Sequence, residues 1–390
     1  IQTMYNSESN ANFATSITTF TQNITEILLL TDAGLPIGQI SESISFTDTV
    51  TKNASILLSD TVSLTDIGTG DARTGTLSDW NKKLLSITSD LVSGSSNLSN
   101  VPVLVTLTND SDLSVANVGG SGAGVRFTHD GTNLIPFEIE SFVSTGSAGT
   151  LTAWVEVPTV KHNEPTYFYI HYGQSDSTTS TAAAVWADKN YVVVNHLNDT
   201  PDSNDSTKDQ VGSLAASNNS FNTQNMDSSN QVDGKIGKAL SLNEGVTNEL
   251  ICLEDSGNLG NSCAGATTIF DSDVSARTSS LWYKADSVDL GTRQILFDEG
   301  GTTNGQIIYL FDNKVFGCTS NGNATFCVDE ATTANEWHHV ALVWGSNSES
   351  YLYYDGSKTD TFTGKLNQAH GNPSALGSYA GNARFTSSAT

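Results

Sequence analysis

Cleaving a glycosidic bond needs two carboxylates flanking it. The sequence offers one close pair, Glu138 and Glu140 in FEIESF. Residues two apart on a strand share a face, so both would point the same way, but no third carboxylate joins them. His338 and His339 are adjacent, and adjacent strand residues face opposite sides, which makes a shared metal ion difficult. His129, His162, His171, His196 and His370 are scattered, and neither Gly-x-Ser-x-Gly nor His-Glu-x-x-His accompanies them. The Gly-rich GGSGAGV at 119–125 is followed by no helix signal and no Lys, so it reads as a turn rather than a phosphate cradle. The expectation is a protein that is not an enzyme.

One ligand keeps a chemical rationale. The stretch NDTPDSNDSTKD (198–209) gathers Asp199, Asp202, Asp205 and Asp209, with Asn and Ser as further oxygen donors. Ca²⁺ takes six to eight such oxygens. The spacing is not that of an EF-hand, and an acidic chain makes acidic loops by chance; Ca²⁺ is the cofactor the sequence allows.

Four cysteines fall in two close pairs, Cys252/Cys263 and Cys318/Cys327. Between the second pair lies TSNGNATF, whose Asn321-Gly322 is a hairpin signal that brings both ends together. Of the three ways to pair them, the one that makes both local bridges is expected; free thiols or a four-Cys zinc site are the alternatives, though no Cys-x-x-Cys spacing is present. Disulfides imply an oxidising, extracellular setting. Sequons at Asn23, Asn53, Asn97, Asn109, Asn198, Asn204, Asn218 and Asn323 permit glycosylation there, in about the number that an Asn-, Ser- and Thr-rich composition produces.

These groups sit in a chain of 390 residues with room for two or three domains. Only 15% of residues are charged, yet the formal net charge is −25. Such a field repels nucleic acid and anionic lipid and favours cations. No apolar run approaches the roughly 18 residues that span a bilayer. The chain opens at Ile1 without a signal-peptide pattern and reads as already processed.

Residues 1–75 carry apolar positions alternating with Ser and Thr: Ile27 and Leu29, Ile44 and Phe46, Ile56 and Leu58, Val62 and Leu64. TEILLLTD, SESISFTD and SDTVSLTD form a loose internal echo. Two-residue alternation predicts strands, but large apolar residues are too few to bury a core. The segment is either a stalk or a set of strands in need of a partner.

Residues 76–174 are predicted to form a β-sandwich with strands KLLSITS, VPVLVTL, GVRFT, LIPFEIESF, LTAWVEV and TYFYIHY, separated by Gly- and Ser-rich turns. A linker is expected over 175–184. A second sandwich then runs over 185–390, opening on WADKNYVVVNHL and marked by SSLWYKA, QILFDEG, WHHVALVW and YLYYDG. The fold class is all-β, two sandwiches in tandem after an extended N-terminal segment.

WHHVALVW, YLYYDG and GKIGKALSL (234–242) resemble the signature of laminin-G-like, concanavalin-type jelly rolls. Trp80, VPVLVTL, VRFTHDG, LIPFEIESF, AWVEVP and YIHYG are similar to an uncharacterised β-domain of bacterial and archaeal surface proteins. The alternations of residues 41–66 resemble archaeal surface-protein repeats. The first resemblance implies a jelly roll, with Ca²⁺ binding common among its relatives and glucanases among its wider kin. The glucanase Glu-x-Asp-x-x-Glu motif is missing, and His338 and His339 fall on structural positions of the pattern.

The resemblance also implies further strands after SALGSYAG, whereas the chain stops at Thr390. Either those strands are encoded downstream, or a strand from elsewhere completes the sheet by β-augmentation. A neighbour's residues 1–75 could supply it, giving a head-to-tail polymer of identical copies. The expectation is therefore an extracellular, cell-surface structural or adhesive protein, plausibly a filament subunit. A Ca²⁺-dependent glycan-binding module on a stalk is the alternative.

Overall fold

Strict two-residue alternation shapes the first half of the described chain. In a computed structural model, the described residues are 77–174, 182–186, 191–201, 207–208, 220–224, 226–242, 249–253, 276–300, 304–321, 324–345, 349–363 and 374–377. All lie in one unit, Ile67–Thr390. The expected donor positions from Ile27 to Leu64 fall outside them.

Six strands build the first sandwich: β1 (Asn81–Ile87), β2 (Leu98–Asp110), β3 (Arg126–Thr128), β4 (Phe137–Ser144), β5 (Gly149–Val160) and β6 (Thr166–Tyr172). They form two three-stranded antiparallel sheets, ordered β1-β6-β3 and β2-β5-β4. Along β5, Leu151, Ala153, Val155 and Val157 are buried while Thr152, Trp154 and Glu156 are half-exposed. The inward set meets Phe127, Phe168 and Ile170 of the other sheet in one core.

The second half adds β7 (Thr207–Lys208), β8 (Ser220–Gln224), β9 (Gln231–Asp233), β10 (Lys238–Leu240), β11 (Leu250–Cys252), β12 (Arg277–Tyr283), β13 (Gln294–Gly300), β14 (Asn304–Phe311), β15 (Lys314–Asn321), β16 (Ala324–Ala331), β17 (His338–Trp344), β18 (Glu349–Tyr354), β19 (Ser357–Thr363) and β20 (Ser374–Leu376). An eight-stranded sheet, β16-β15-β14-β13-β20-β11-β8-β7, faces a four-stranded one, β12-β17-β18-β19. Ile308, Leu310 and Val315 meet Val340, Leu342 and Leu352 between them. Two-residue turns set the hairpins: Asp312-Asn313 joins β14 to β15, and Asp355-Gly356 joins β18 to β19, all four with positive φ, as the tight mirror-image turns demand.

The expected bridge Cys318–Cys327 links β15 to β16, where the two residues are direct cross-strand partners. Cys252 is disulfide-bonded as well, and Cys263 lies outside the described residues. β12 ends the four-stranded order. Its inward residues Arg277, Ser279 and Leu281 are only half-buried, whereas Val340, Leu342 and Trp344 on β17 are fully buried. Arg277 Nη1 nonetheless reaches buried Glu299 on the opposite sheet at 2.6 Å.

Between the sandwiches the chain makes no strand from YVVVNHL. A short helix, Ala182–Trp186, buries Val185 and Trp186. It and residues 191–198 cover the outer face of β4, where a bulge after Ile139 leaves Glu138 and Glu140 both buried. Trp186 Nε1 donates to Glu138 Oε2 at 2.8 Å, and Trp154 Nε1 to Glu140 Oε2 at 3.2 Å. His196 lies between the two carboxylates, stacked on Trp154 with ring centroids 5.8 Å apart. Asn198 Nδ2 donates to Glu140 Oε1, and Asn198 Oδ1 accepts from Lys238 N in the β9–β10 hairpin at 3.0 Å. Gly237 closes that hairpin at φ +56°, and a Cβ there would lie 2.5 Å from Glu140 Oε1. Only glycine fits both demands.

A second glycine tests the packing between the sheets. Gly317 of β15 faces two leucines, and a Cβ would approach Leu352 Cδ1 at 2.8 Å and Leu342 Cδ1 at 2.9 Å. Gly317→Ala should destabilise the chain by about 1–3 kcal/mol through overpacking; denaturant unfolding measures it, and an unchanged midpoint would show that the two leucines give way freely.

Candidate functional site

Trp282 stands on the solvent side of β12 because Leu281 and Tyr283 on either side of it point into the core. At 40% exposure it is a large aromatic surface left in water. Its cross-strand partner is His339 of β17, with ring centroids 5.2 Å apart. Lys235, at the tip of the β9–β10 hairpin, places Nζ 5.6 Å from the centre of the Trp282 ring. Together with Trp337, Asp355 and Gly356 these residues line an open cleft of about 470 Å³.

Asp355 holds the cleft floor. Its Oδ1 accepts the His339 backbone N–H at 2.8 Å and its Oδ2 lies 2.8 Å from His338 Nδ1. Burial pushes its carboxyl up, but the His338 and His339 contacts outweigh that and leave it below the usual carboxylate range. Burial also holds His339 below an ordinary histidine, against the pull of Asp355. The ring is therefore neutral at neutral pH, with one N–H to donate and one lone pair to accept. His338 faces the other way and is buried, 2.8 Å from Tyr354 Oη and 2.9 Å from Thr333 Oγ1.

The same face continues past the cleft. Ala341 pairs with Tyr353, and Val343 with Tyr351. The Tyr351 and Tyr353 rings meet edge-on at 5.9 Å. Lys358 of β19 sets Nζ 4.0 Å from the Tyr351 ring centre. The four-stranded sheet thus presents Trp282, His339, Tyr353 and Tyr351, with a lysine near each end. Flat aromatic faces accept the apolar C–H side of a ring-shaped ligand, and the flanking donors and acceptors fix its orientation.

Of the residues singled out from sequence, His339 lines the cleft, while the carboxylates and the sequons land elsewhere. Glu138 and Glu140 are buried between the sandwiches, each already a hydrogen-bond acceptor. Asp199 follows the seam segment, while Asp202, Asp205 and Asp209 lie outside the described residues. Among the described residues no group of three or more His, Cys, Asp or Glu is arranged to hold a metal ion. Of the sequons, Asn97 Oδ1 accepts from His162 N at 3.2 Å, and Asn109 is exposed at φ 51°. Asn198 spends its Nδ2 on Glu140; Asn23, Asn53, Asn204, Asn218 and Asn323 lie outside the described residues.

The cleft itself was not singled out from sequence. Its one local signal is parity: in SSLWYKA the Trp falls out of step with the inward Leu and Tyr.

A family model described as the concanavalin A-like lectin/glucanases superfamily matches residues 259–389. A domain of unknown function, DUF2341, matches residues 121–210. No curated protein matches the chain. Among solved structures, the binding domain of Paraclostridial mosquitocidal protein 1 is 20% identical at a TM-score of 0.34, covering 45% of this chain and 42% of that one. The binding domain of botulinum neurotoxin serotype D is 11% identical at 0.33, covering 44% and 40%. Domains LG4-5 of the mouse laminin alpha1 chain are 13% identical at 0.24, covering 28% and 29%. The chain spans less than half the length of each. It is all-β, with a concanavalin-like domain in its C-terminal third and a DUF2341 match before it.

Proposed function

We propose that this chain is an extracellular, cell-surface binding protein that recognises a glycan at the Trp282–Trp337 cleft and acts by contact rather than catalysis. The observation that carries the reading is the solvent-facing Trp282 ring with Lys235, His339 and Trp337 around it. A flat aromatic face open to a cleft suits the apolar side of a sugar ring, which can cover it and use the flanking N–H groups. The cleft's own carboxylate, Asp355, is committed to His338 and to the His339 backbone, which favours holding a ligand over transferring a proton to it. An extracellular setting is supported by the Cys318–Cys327 bridge, and the net charge of −25 disfavours nucleic acid.

The test is a glycan array on the full chain, with and without chelator. Trp282→Ala should weaken the strongest hits by about tenfold or more, the loss of roughly 1.4 kcal/mol. Its melting temperature should stay near that of the parent, because the ring lies outside the core. Undiminished binding by Trp282→Ala would remove the cleft from the reading. Chelator sensitivity would give the acidic loop from Asp199 to Asp209 a part in binding, and insensitivity would leave Ca²⁺ out of it.

A second reading is self-assembly, in which residues 1–75 of one copy add a strand to the next. The feature that favours it is β12, which ends the four-stranded order with its inward residues half-buried and so leaves room for a further strand among the described elements. Electron microscopy of the purified chain should then show fibres that vanish on deletion of residues 1–75. Monodisperse particles at high concentration would exclude this assembly.

A further inference from the structure

Two buried carboxylates and one imidazole form the centre of the junction between the sandwiches. His196 Nε2 lies 3.2 Å from Glu138 Oε2, and His196 Nδ1 lies 3.2 Å from Glu140 Oε2. A neutral imidazole carries one N–H, and an ionised carboxylate carries none. Two such contacts need two hydrogens. Either the ring is a full imidazolium, or a neutral ring faces one protonated carboxyl; the proton count is the same, and it belongs to the cluster rather than to one residue. Removing one hydrogen would turn one contact into lone pair against lone pair in a place closed to water.

The remaining donors cannot replace it. Trp186 Nε1 and Trp154 Nε1 each give their single hydrogen to Glu138 and Glu140, and Asn198 Nδ2 is spent on Glu140. Tyr191 packs edge-on against Trp186 at 5.3 Å, and burial raises its hydroxyl above the usual tyrosine range. In the adjoining hairpin the Lys238 ammonium is paired with Asp233 at 2.7 Å. His196 is the cation whose charge acts on Glu140.

We infer that the junction is a proton-held latch: the two sandwiches are fixed to each other while the His196–Glu138–Glu140 cluster keeps its second hydrogen, and the junction opens as pH rises and that hydrogen leaves.

The electrostatics run the same way. Burial lowers the affinity of His196 for its proton, but the Glu138 hydrogen bond and both carboxylate charges outweigh it, and the net shift is upward. Burial dominates at Glu140 and also raises it, against the opposing pull of His196. Both raised groups mean that the folded state holds more protons than the unfolded chain. The contribution of His196 is therefore complete below an ordinary histidine value of about 6.5 and is lost as pH climbs through its raised value. The junction ties the cleft on the second sandwich to the first one rigidly below that raised value, and hinges above it.

Hydrogen exchange on the full chain tests this at about pH 6 and about pH 9, on either side of the ordinary histidine value, with rates corrected for intrinsic chemistry. Peptides over 137–142 and 191–198 should open several-fold more at the higher pH, while β14 and β15 in the second core should not change. Unchanged seam peptides would overturn the latch. So would imidazole nitrogen and carboxyl carbon NMR titrations in which neither His196 nor either glutamate loses a proton above the ordinary histidine value. His196→Gln cannot titrate and sets no positive charge against the two carboxylates, so its seam peptides should exchange faster than the parent's at the lower pH; exchange unchanged from the parent at both pH values would overturn the assignment to this cluster. If His196→Gln does not fold, the two measurements on the parent chain still decide.

Discussion

A carboxylate taken out of water must meet donors or take up a proton, and this tandem buries two of them side by side on the outer face of one strand. Glu138 and Glu140 would be ordinary surface residues on an isolated first sandwich. Trp186, His196 and Asn198 of the next segment convert them into the means of attachment, with both indole N–H groups, the imidazole and a carboxamide directed at Glu138 Oε2 and at both oxygens of Glu140. The arrangement constrains the hairpin beyond it as well, since Asn198 also receives the Lys238 backbone N–H and Gly237 has no room for a side chain. A polar requirement in one module thereby sets the place of the next.

The legibility of the molecule in its sequence followed the length of each periodic run. LTAWVEV, TYFYIHY and WHHVALVW carry three or four alternations each and fall on β5, β6 and β17. β9, β10, β11 and β20 have three residues each, too few to show a period; β9 and β10 pair locally as a hairpin, whereas β11 and β20 pair with each other across more than a hundred residues. YVVVNHL looks like a strand from its Val run, yet it forms none: Val193 and Leu197 pack against the second core, Tyr191 against Trp186, and His196 against the two glutamates. Glu138 and Glu140 were legible as two carboxylates on one face. Their partner His196 was not, because 56 and 58 residues separate it from them and nothing local marks the contact.

The cleft illustrates a different limit. Parity along β12 puts Trp282 outside, but outward tryptophans alone do not make a site. The hairpin carrying Lys235 and the turn carrying Asp355 have to arrive at the same end of the sheet, and that is decided by topology. Asp355 serves twice: its left-handed backbone makes the β18–β19 turn, and its carboxylate anchors the start of β17. The turn chemistry was visible as Asp-Gly, whereas the second duty was not.

The order of the eight-stranded sheet has one more implication, for how the chain comes to be folded. β20 lies between β13 and β11, so among the described residues the half-sheet made of β16, β15, β14 and β13 joins the half made of β11, β8 and β7 through a strand 122 residues beyond Cys252, the end of β11. Synthesis supplies that keystone late. Until it arrives, two open edges persist on a nascent polypeptide, and the non-local closure makes for slow acquisition of structure. A chaperone or an export channel that keeps the edges apart during that interval would act on the single step where this architecture is most exposed to aggregation.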